Sequence, residues 1–266
     1  MAWNKDSIIR LATVDSTNRY MRDDADNLWN KHGENGFVVI TATHQTAGRG
    51  QRGNIWSSNA GENLLISILV RPGEALEVKR QFLLSQAVAL AMHDAMLHYD
   101  IDTRLKWPND IYVGNRKLAG ILLELDYAGR YVEQAIIGIG LNVNQQAFPP
   151  MDRVPVSMKM LWKAENGKLK AENGKQRQDL VLDDVLSTLL CSFERYYNLL
   201  LQGHGDEIAA EYDKLLLGIN EQHTFIDKEG SFEAVLQGVE SDGHLLLQRN
   251  DGCTGRYAFK EVEMVL

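Results

Sequence analysis

Apolar residues in this chain fall mostly into short blocks separated by polar turns, with helical spacing in a few longer stretches. Ile8-Ile-Arg-Leu11, Phe37-Val-Val-Ile-Thr-Ala-Thr43 and Asn63-Leu-Leu-Ile-Ser-Ile-Leu-Val70 read as strands, the second of the buried type. Ile111-Tyr-Val113, the two-residue turn Gly114-Asn115 and a return strand over 117–125 predict a β-hairpin, and residues 131–139 return as a further strand. Successive hairpins imply a largely antiparallel sheet. Helical spacing predicts helices over roughly 19–29, 77–99, 179–202 and 206–217. The 77–99 helix should cover the sheet with one apolar face. From Gln222 onward, five short strand-like runs are divided by Glu229-Gly230, Asp242-Gly243 and Asp251-Gly252, the pattern of a small β-barrel. A unit of about 45 residues is too small for a robust core of its own and should pack on the rest. The class expected is α+β: a mixed, largely antiparallel sheet flanked by helices over 1–219, with a small β-domain over 220–266.

Chemistry gathers in two places. Lys106-Trp-Pro-Asn-Asp110 bends into the hairpin, with Pro108 pushing Trp107 toward an extended conformation, and Lys117 opens the return strand. Asp110 and Lys117 should thus be near neighbours across paired strands. Taken alone, this is either a surface hairpin carrying weak charged pairs or part of a site. The second place is Gln45-Thr-Ala-Gly48-Arg49-Gly50-Gln51-Arg52-Gly53, with Trp56 beyond it. Its glycines let the backbone approach a ligand, and its two guanidiniums suit phosphate or carboxylate, so it reads as an anion cradle able to fold over a ligand. Gly48, Gly50 and Gly53 also fit G-x-G-x-x-G, but no helix pattern follows, so the dinucleotide reading fails.

Other segments keep two readings. Asp15-Ser16-Thr17-Asn18 either only caps the helix that follows or also presents polar groups. Gly138-Ile-Gly140-Leu141-Asn142 is either a bulge and turn or a strand end where something flat lies on bare backbone. His93 and His98 are five apart, off the spacing that puts two ligands on one helix face, and no metal site is expected. Residues 145–178 are the least regular, and the tandem Lys-Ala-Glu-Asn-Gly-Lys at 163–168 and 170–175 reads as an exposed polar insertion.

Composition narrows the class. Over 266 residues, 44% hydrophobic and 24% charged is ordinary globular content, and no stretch approaches a membrane span or a signal sequence. A cytoplasmic protein is expected. Cys191 and Cys253 lie far apart in the sequence and read as buried thiols, giving neither a disulfide framework nor metal spacing. The formal charge of −8 argues against nucleic acid as a general partner.

Taken in order, Asp15-Ser-Thr-Asn18, Gln45-x-x-Gly-Arg-Gly50, Lys106-Trp-Pro-Asn-Asp110, Lys117-Leu-Ala-Gly-Ile121 and Gly138-Ile-Gly-Leu-Asn142 resemble the biotin–protein ligases. The resemblance covers about residues 13–145. It implies a catalytic domain like that of class II aminoacyl-tRNA synthetases, with a C-terminal SH3-like module. It implies that biotin and ATP, with Mg²⁺, give biotinyl-5′-adenylate, whose biotin passes to a lysine of a biotin carboxyl carrier domain. Lys117, Arg49 and Asp110 are then catalytic. Ser16, Thr17, Asn18, Gln45, Arg49, Gly50, Gln51, Trp56, Lys117, Gly120, Gly138 and Leu141 meet biotin, while Arg49, Arg52, Lys106, Asn109, Lys117 and Asn142 meet ATP. Some members carry an N-terminal DNA-binding module; here the first motif begins at Asp15, so no DNA binding is expected, and homodimerisation stays open. The chain departs from the family at Gln51 and Asn54, where members often carry basic residues. Two rivals remain: a lipoate or octanoate ligase on the same kind of fold, lacking here its glycine triplet and histidine-aspartate step, and a non-enzymatic nucleotide-binding module. Met158-Lys159-Met160 resembles the tripeptide around a carrier's acceptor lysine, but without the carrier's hairpin frame it reads as coincidence.

Overall fold

The computed structural model describes residues 7–150, 153–166 and 179–265, without the side chains of Arg52 and 163–166. Most of the 163–175 repeat therefore lies outside the described residues. The chain begins with β1 (Ile9–Val14), α1 (Thr17–Asp23), α2 (Ala25–His32), β2 (Phe37–Gln45), β3 (Leu64–Val70) and β4 (Gly73–Glu77). It continues through α3 (Phe82–Leu97), β5 (Arg104–Lys106), β6 (Asp110–Val113), β7 (Arg116–Ala128) and β8 (Tyr131–Leu141). After α4 (Met158–Asn166), α5 (Leu182–Leu201) and α6 (Gly205–Lys214) come β9 (Gln222–Asp227), β10 (Gly230–Val239), β11 (Leu245–Arg249), β12 (Thr254–Tyr257) and β13 (Val262–Met264).

The first eight strands form one sheet in the order β1-β2-β3-β8-β7-β6-β5, with β4 also on β8. Only the β1–β2 pairing is parallel. The β6–β7 hairpin closes through Gly114-Asn115 as expected, with Val113 opposite Arg116. Strand β3 is buried at every position, and its one polar residue, Ser67, is fully buried. An isolated hydroxyl in such a strand needs partners, and these turn out to belong to the site.

Helix α3 differs from its expected form in two ways. It starts at Phe82 rather than near 77, because Glu77 still belongs to β4 and a 3₁₀ turn over Val78–Arg80 intervenes. It is also buried on nearly all sides rather than along one face, since α5 and α6 pack on the side turned from the sheet. Phe193 of α5 sets its ring edge on Phe37 and stacks on Tyr197, extending this core outward. The helix expected over 19–29 is divided at Asp24, whose backbone leaves the helical region and whose carbonyl and carboxylate receive Leu28 N–H and Asn27 Nδ2. Ser16 occupies the N-cap of α1, but no side chain caps there, which corrects the capping expectation. Both cysteines are exposed, not buried: Cys191 lies on the outer face of α5, and Cys253 follows the Asp251-Gly252 turn.

A second sheet, order β12-β11-β10-β9-β13, is antiparallel throughout and corresponds to the SH3-like unit. Phe225, Leu236 and Leu247 join the same apolar cluster as α3 and β8, so the small sheet completes its core against the larger unit. Trp107 pins the junction: its indole N–H donates to Gly243 O at 2.9 Å and its ring meets Phe259 edge-on.

Helix α4 lies in the stretch expected to be irregular. It starts at Met158, where Met160 N–H reaches both the carbonyl and the hydroxyl of Ser157. Met158 is fully buried, and Lys159 Nζ is paired with Asp179. An acceptor lysine must stand free at a turn, so Lys159 is expected to stay unmodified. Intact-mass analysis after incubation with biotin and Mg-ATP checks this; a stoichiometric biotinyl group abolished by Lys159→Arg would contradict it.

Candidate functional site

A cleft of about 990 Å³ opens between the C-terminal ends of β1 and β2, the middle of β7 and β8, and the small sheet. Its floor is bare backbone. Gly120 and Gly140 face each other across β7 and β8, and Gly138 pairs with Leu122. The flat group lying on this floor is the protein's own Trp56 indole. A Cβ placed on Gly140 would come within 2.3 Å of that ring, and one on Gly138 within 2.6 Å of Asn18 Oδ1. The indole N–H is buried and has no hydrogen-bond partner among the described residues.

One end of the cleft is a chain of polar side chains. Gln45 Oε1 accepts from Thr17 N–H at 2.7 Å and from the Thr17 hydroxyl at 3.0 Å, which leaves Gln45 Nε2 as a spare donor. The Ser67 hydroxyl donates to Asn18 Oδ1 and has Thr17 Oγ1 2.8 Å away. Asn18 Nδ2 donates to Glu124 Oε2 at 3.0 Å, and Glu124 Oε1 pairs with Arg49 at 3.1 Å. Because a carboxylate only accepts, Glu124 fixes which way the Asn18 amide points. These groups would be costly to bury unpaired, and the network explains why Thr17 and Asn18 are each 3% exposed without capping α1.

The other end carries charge. Asp110 is 4% exposed and is gripped by Lys117 Nζ on Oδ1 and by the Arg153 guanidinium on Oδ2, each at 2.6 Å. Arg153 also reaches Glu263 of β13 at 3.5 Å. Lys106 has no ion pair among the described residues, and burial pushes its ammonium below the usual lysine range, with Arg153 adding to the effect and Asp110 opposing it. The Tyr112 hydroxyl is pushed up to about 12, first by burial and then by Asp110. Three cations therefore surround one carboxylate, and a half-buried surplus of positive charge attracts an anionic ligand.

The structure gathers Ser16, Thr17, Asn18, Gln45, Arg49, Gly50, Gln51, Trp56, Lys106, Asn109, Asp110, Lys117, Gly120, Gly138 and Gly140 around this cleft. Leu141 and Asn142 stand behind its wall. Leu141 is core, and Asn142 donates a side-chain N–H to Val156 O while its backbone carbonyl accepts from Met158 N–H. Arg52 has no described side chain. Around Gln51 the loop makes one 3₁₀ turn, Gln51–Gly53, closed by an Arg49–Ile55 bridge, so no dinucleotide helix follows the glycines.

Three residues of the site escaped the sequence reading. Ser67 announced itself as the one polar letter in an otherwise apolar strand. Glu124 shares a face of β7 with Gly120 and Leu122 by simple alternation, a signal that was present. Arg153 had none, because only the pairing of Val154 O and Val156 N with the Lys117 backbone brings its segment against β7. Among the described residues no helix is long and apolar enough to cross a membrane.

Residues 11–142 match the model of the biotin/lipoate A/B protein ligase family. The fold resembles a biotin protein ligase of Aquifex aeolicus solved with biotin and ATP, at TM-score 0.75 and 24% identity over 97% of this chain and 98% of that one. A biotin–[acetyl-CoA-carboxylase] ligase of Paracoccus denitrificans is 38% identical over 56% of this chain and 61% of its own length. The bifunctional ligase/repressor BirA of Bacillus subtilis is 31% identical over 236 residues, which cover 88% of this chain and 68% of that protein. With a likeness of that extent joined to the family match, the chain belongs to the biotin/lipoate A/B protein ligase family.

Proposed function

We propose that this chain is an ATP-dependent biotin–protein ligase of the cytoplasm, whose catalytic unit is 1–219 and whose SH3-like unit is 220–266. The carrying observation is the cleft's two unlike ends: a glycine-floored slot tipped with fixed hydrogen-bonding groups, leading to three cations around one carboxylate. A biotin ring fits the slot, its ureido group taking Gln45 Nε2 and neighbouring polar atoms. A biotin carboxylate oxygen then attacks the α-phosphorus of ATP, and pyrophosphate leaves. Lys117 stands where the two anions meet, while Lys106, Asn109 and Arg153, joined by Arg52, hold the phosphates. With Mg-ATP bound, the nucleotide's Mg²⁺ would supply further charge neutralisation. The acidic groups beside the cations, Asp110 and Glu263, are both bonded to Arg153 and form no cage of their own. The one group of three potential metal ligands among the described residues, Glu240, Asp242 and His244, already holds Arg256 with its two carboxylates.

In the second step the amine of a carrier-domain lysine attacks the adenylate's carbonyl carbon and AMP departs. Asp110 is placed to orient that amine or take its proton once one of its two cations has turned to the nucleotide. Lipoate is the weaker reading for a physical reason: its dithiolane has no groups to pair with Gln45, Thr17 and Asn18, and a site built for such bonds discriminates against a ligand that lacks them. A pure binding module would have no use for Lys117 held beside the slot. Biotin-dependent pyrophosphate release, followed by transfer to an isolated biotin carboxyl carrier domain, tests the assignment. Activity with lipoate or octanoate in place of biotin would overturn it.

A further inference from the structure

The sequence reading gave Arg49 to the anionic substrates, but the structure gives it to Glu124. We propose that Glu124 is a positioning residue that ties Arg49, and with it the first half of the 45–56 loop, to β7, so that Arg49 shapes the biotin slot and does not bind phosphate. The inference rests on the ligase reading for its substrate but not for its geometry.

Glu124 sits beside the slot with its side chain 18% exposed, one oxygen on Asn18 and the other on Arg49. If Arg49 swung to a phosphate, Glu124 would keep a single amide partner, and its charge would stand bare beside an incoming polyanion. That exchange is unfavourable on both sides, since a partly desolvated carboxylate loses its cation and repels the ligand. Lys106 faces no such conflict, because it has no ion pair to give up among the described residues. The contacts also close a ring. Gln45, Thr17, Ser67, Asn18, Glu124 and Arg49 are linked in that order, and Gln45 and Arg49 belong to the same loop four residues apart. Backbone bonds from Gly50 N–H to Asn54 O and from Trp56 N–H to Gly48 O tie the second half of the loop to this anchored first half, so the hold of Glu124 on Arg49 carries through to Trp56. In the turn between, Gln51 Oε1 is buried without a partner among the described residues, an acceptor left for a ligand.

The test uses Glu124→Gln, which keeps an acceptor for Asn18 but removes the charge, alongside Arg49→Gln, the double variant and Arg49→Lys. The single variants are each expected to raise the KM for biotin about tenfold, and the double variant no further, because one interaction is lost in all three. Arg49→Lys should recover most of the loss. The KM for ATP and the rate of pyrophosphate release at saturating biotin should stay within about twofold of the parent. Amide exchange in ligand-free Glu124→Gln should quicken at residues 47–50, a readout that needs no substrate. If Arg49→Gln instead raises the KM for ATP or slows pyrophosphate release by 100-fold while Glu124→Gln behaves like the parent in kinetics and exchange, Arg49 is a phosphate ligand and the proposal falls. A parent protein that releases no pyrophosphate with biotin would sink the ligase reading alone, and the exchange comparison would still decide the tie. Arg49 lies on a half-exposed loop, so its variants report even if Glu124→Gln folds poorly.

Discussion

Replacing Lys117 by alanine is expected to lower adenylate formation by about 10²–10³-fold, the scale of removing one preorganised electrostatic donor. The lysine is held on a strand whose backbone is pinned on one side by β6 and on the other by Val154 and Val156, so its ammonium is placed more firmly than a loop could manage. It brings a carboxylate and a phosphate together and then meets the charge that grows between them. Transfer starts from an adenylate already made, so supplied biotinyl-adenylate should be used with a smaller loss. The competing view, a decorative surface pair, does not match the burial: Asp110's side chain is 3% exposed and Lys117's 23%. A cost of about 1–2 kcal/mol in stability is expected beside the kinetic one, since Arg153 remains to pair with Asp110 and the lysine end is partly solvated. Pyrophosphate release and single-turnover transfer, measured separately on a variant shown to be folded, separate the two. Near-parental pyrophosphate release would remove Lys117 from the mechanism.

What could be read from the letters was what repeats with a short period. Strands β2 and β3, the Gly114-Asn115 hairpin, helix α5 and the five C-terminal strands each carry a local pattern, and each is found. The break at Asp24 is local, its carbonyl and carboxylate taken by Leu28 and Asn27. Other differences depend on a distant partner: Glu77 is drawn into a strand by β8 although its neighbours have helical spacing. The Val156 carbonyl that takes one N–H of the Asn142 amide is likewise brought there only by the fold. The same holds for charge. The spacing put Asp110 near Lys117, but the second cation on that carboxylate comes from Arg153, 43 residues further on and in a stretch without pattern. Arg49 reads as a free cation in the sequence because its counter-ion, Glu124, lies 75 residues away on the strand beside the slot. A motif thus shows which residue types are present, while their pairing decides which charges remain for a substrate.

Gly140→Ala is expected to weaken biotin binding by about 30–100-fold, or ~2–3 kcal/mol, with little loss of stability. The added methyl group would stand 2.3 Å from the Trp56 ring, a distance no pair of carbons tolerates, so one of the two must move. Strand β8 cannot give way, because Gly140 is paired on one side with Leu65 and on the other with Gly120. Trp56 can, since it stands at the end of the loop, its indole N–H has no partner among the described residues, and the ring is held down by packing and by the Lys117 ammonium 5.7 Å from its centroid. The indole is therefore expected to tilt off the floor and into the space a ring substrate needs, so that the slot loses both a wall and its volume. The effect should run through Trp56. In a Trp56→Ala background, whose own binding is already weakened, Gly140→Ala should add less than about twofold, since contacting residues couple and separate ones add. Calorimetric titration of biotin into the parent, both single variants and the double one reads that coupling directly. A full 30–100-fold loss from Gly140→Ala in both backgrounds would mean that the methyl group obstructs the ligand itself, and that biotin lies directly on the bare backbone of β8.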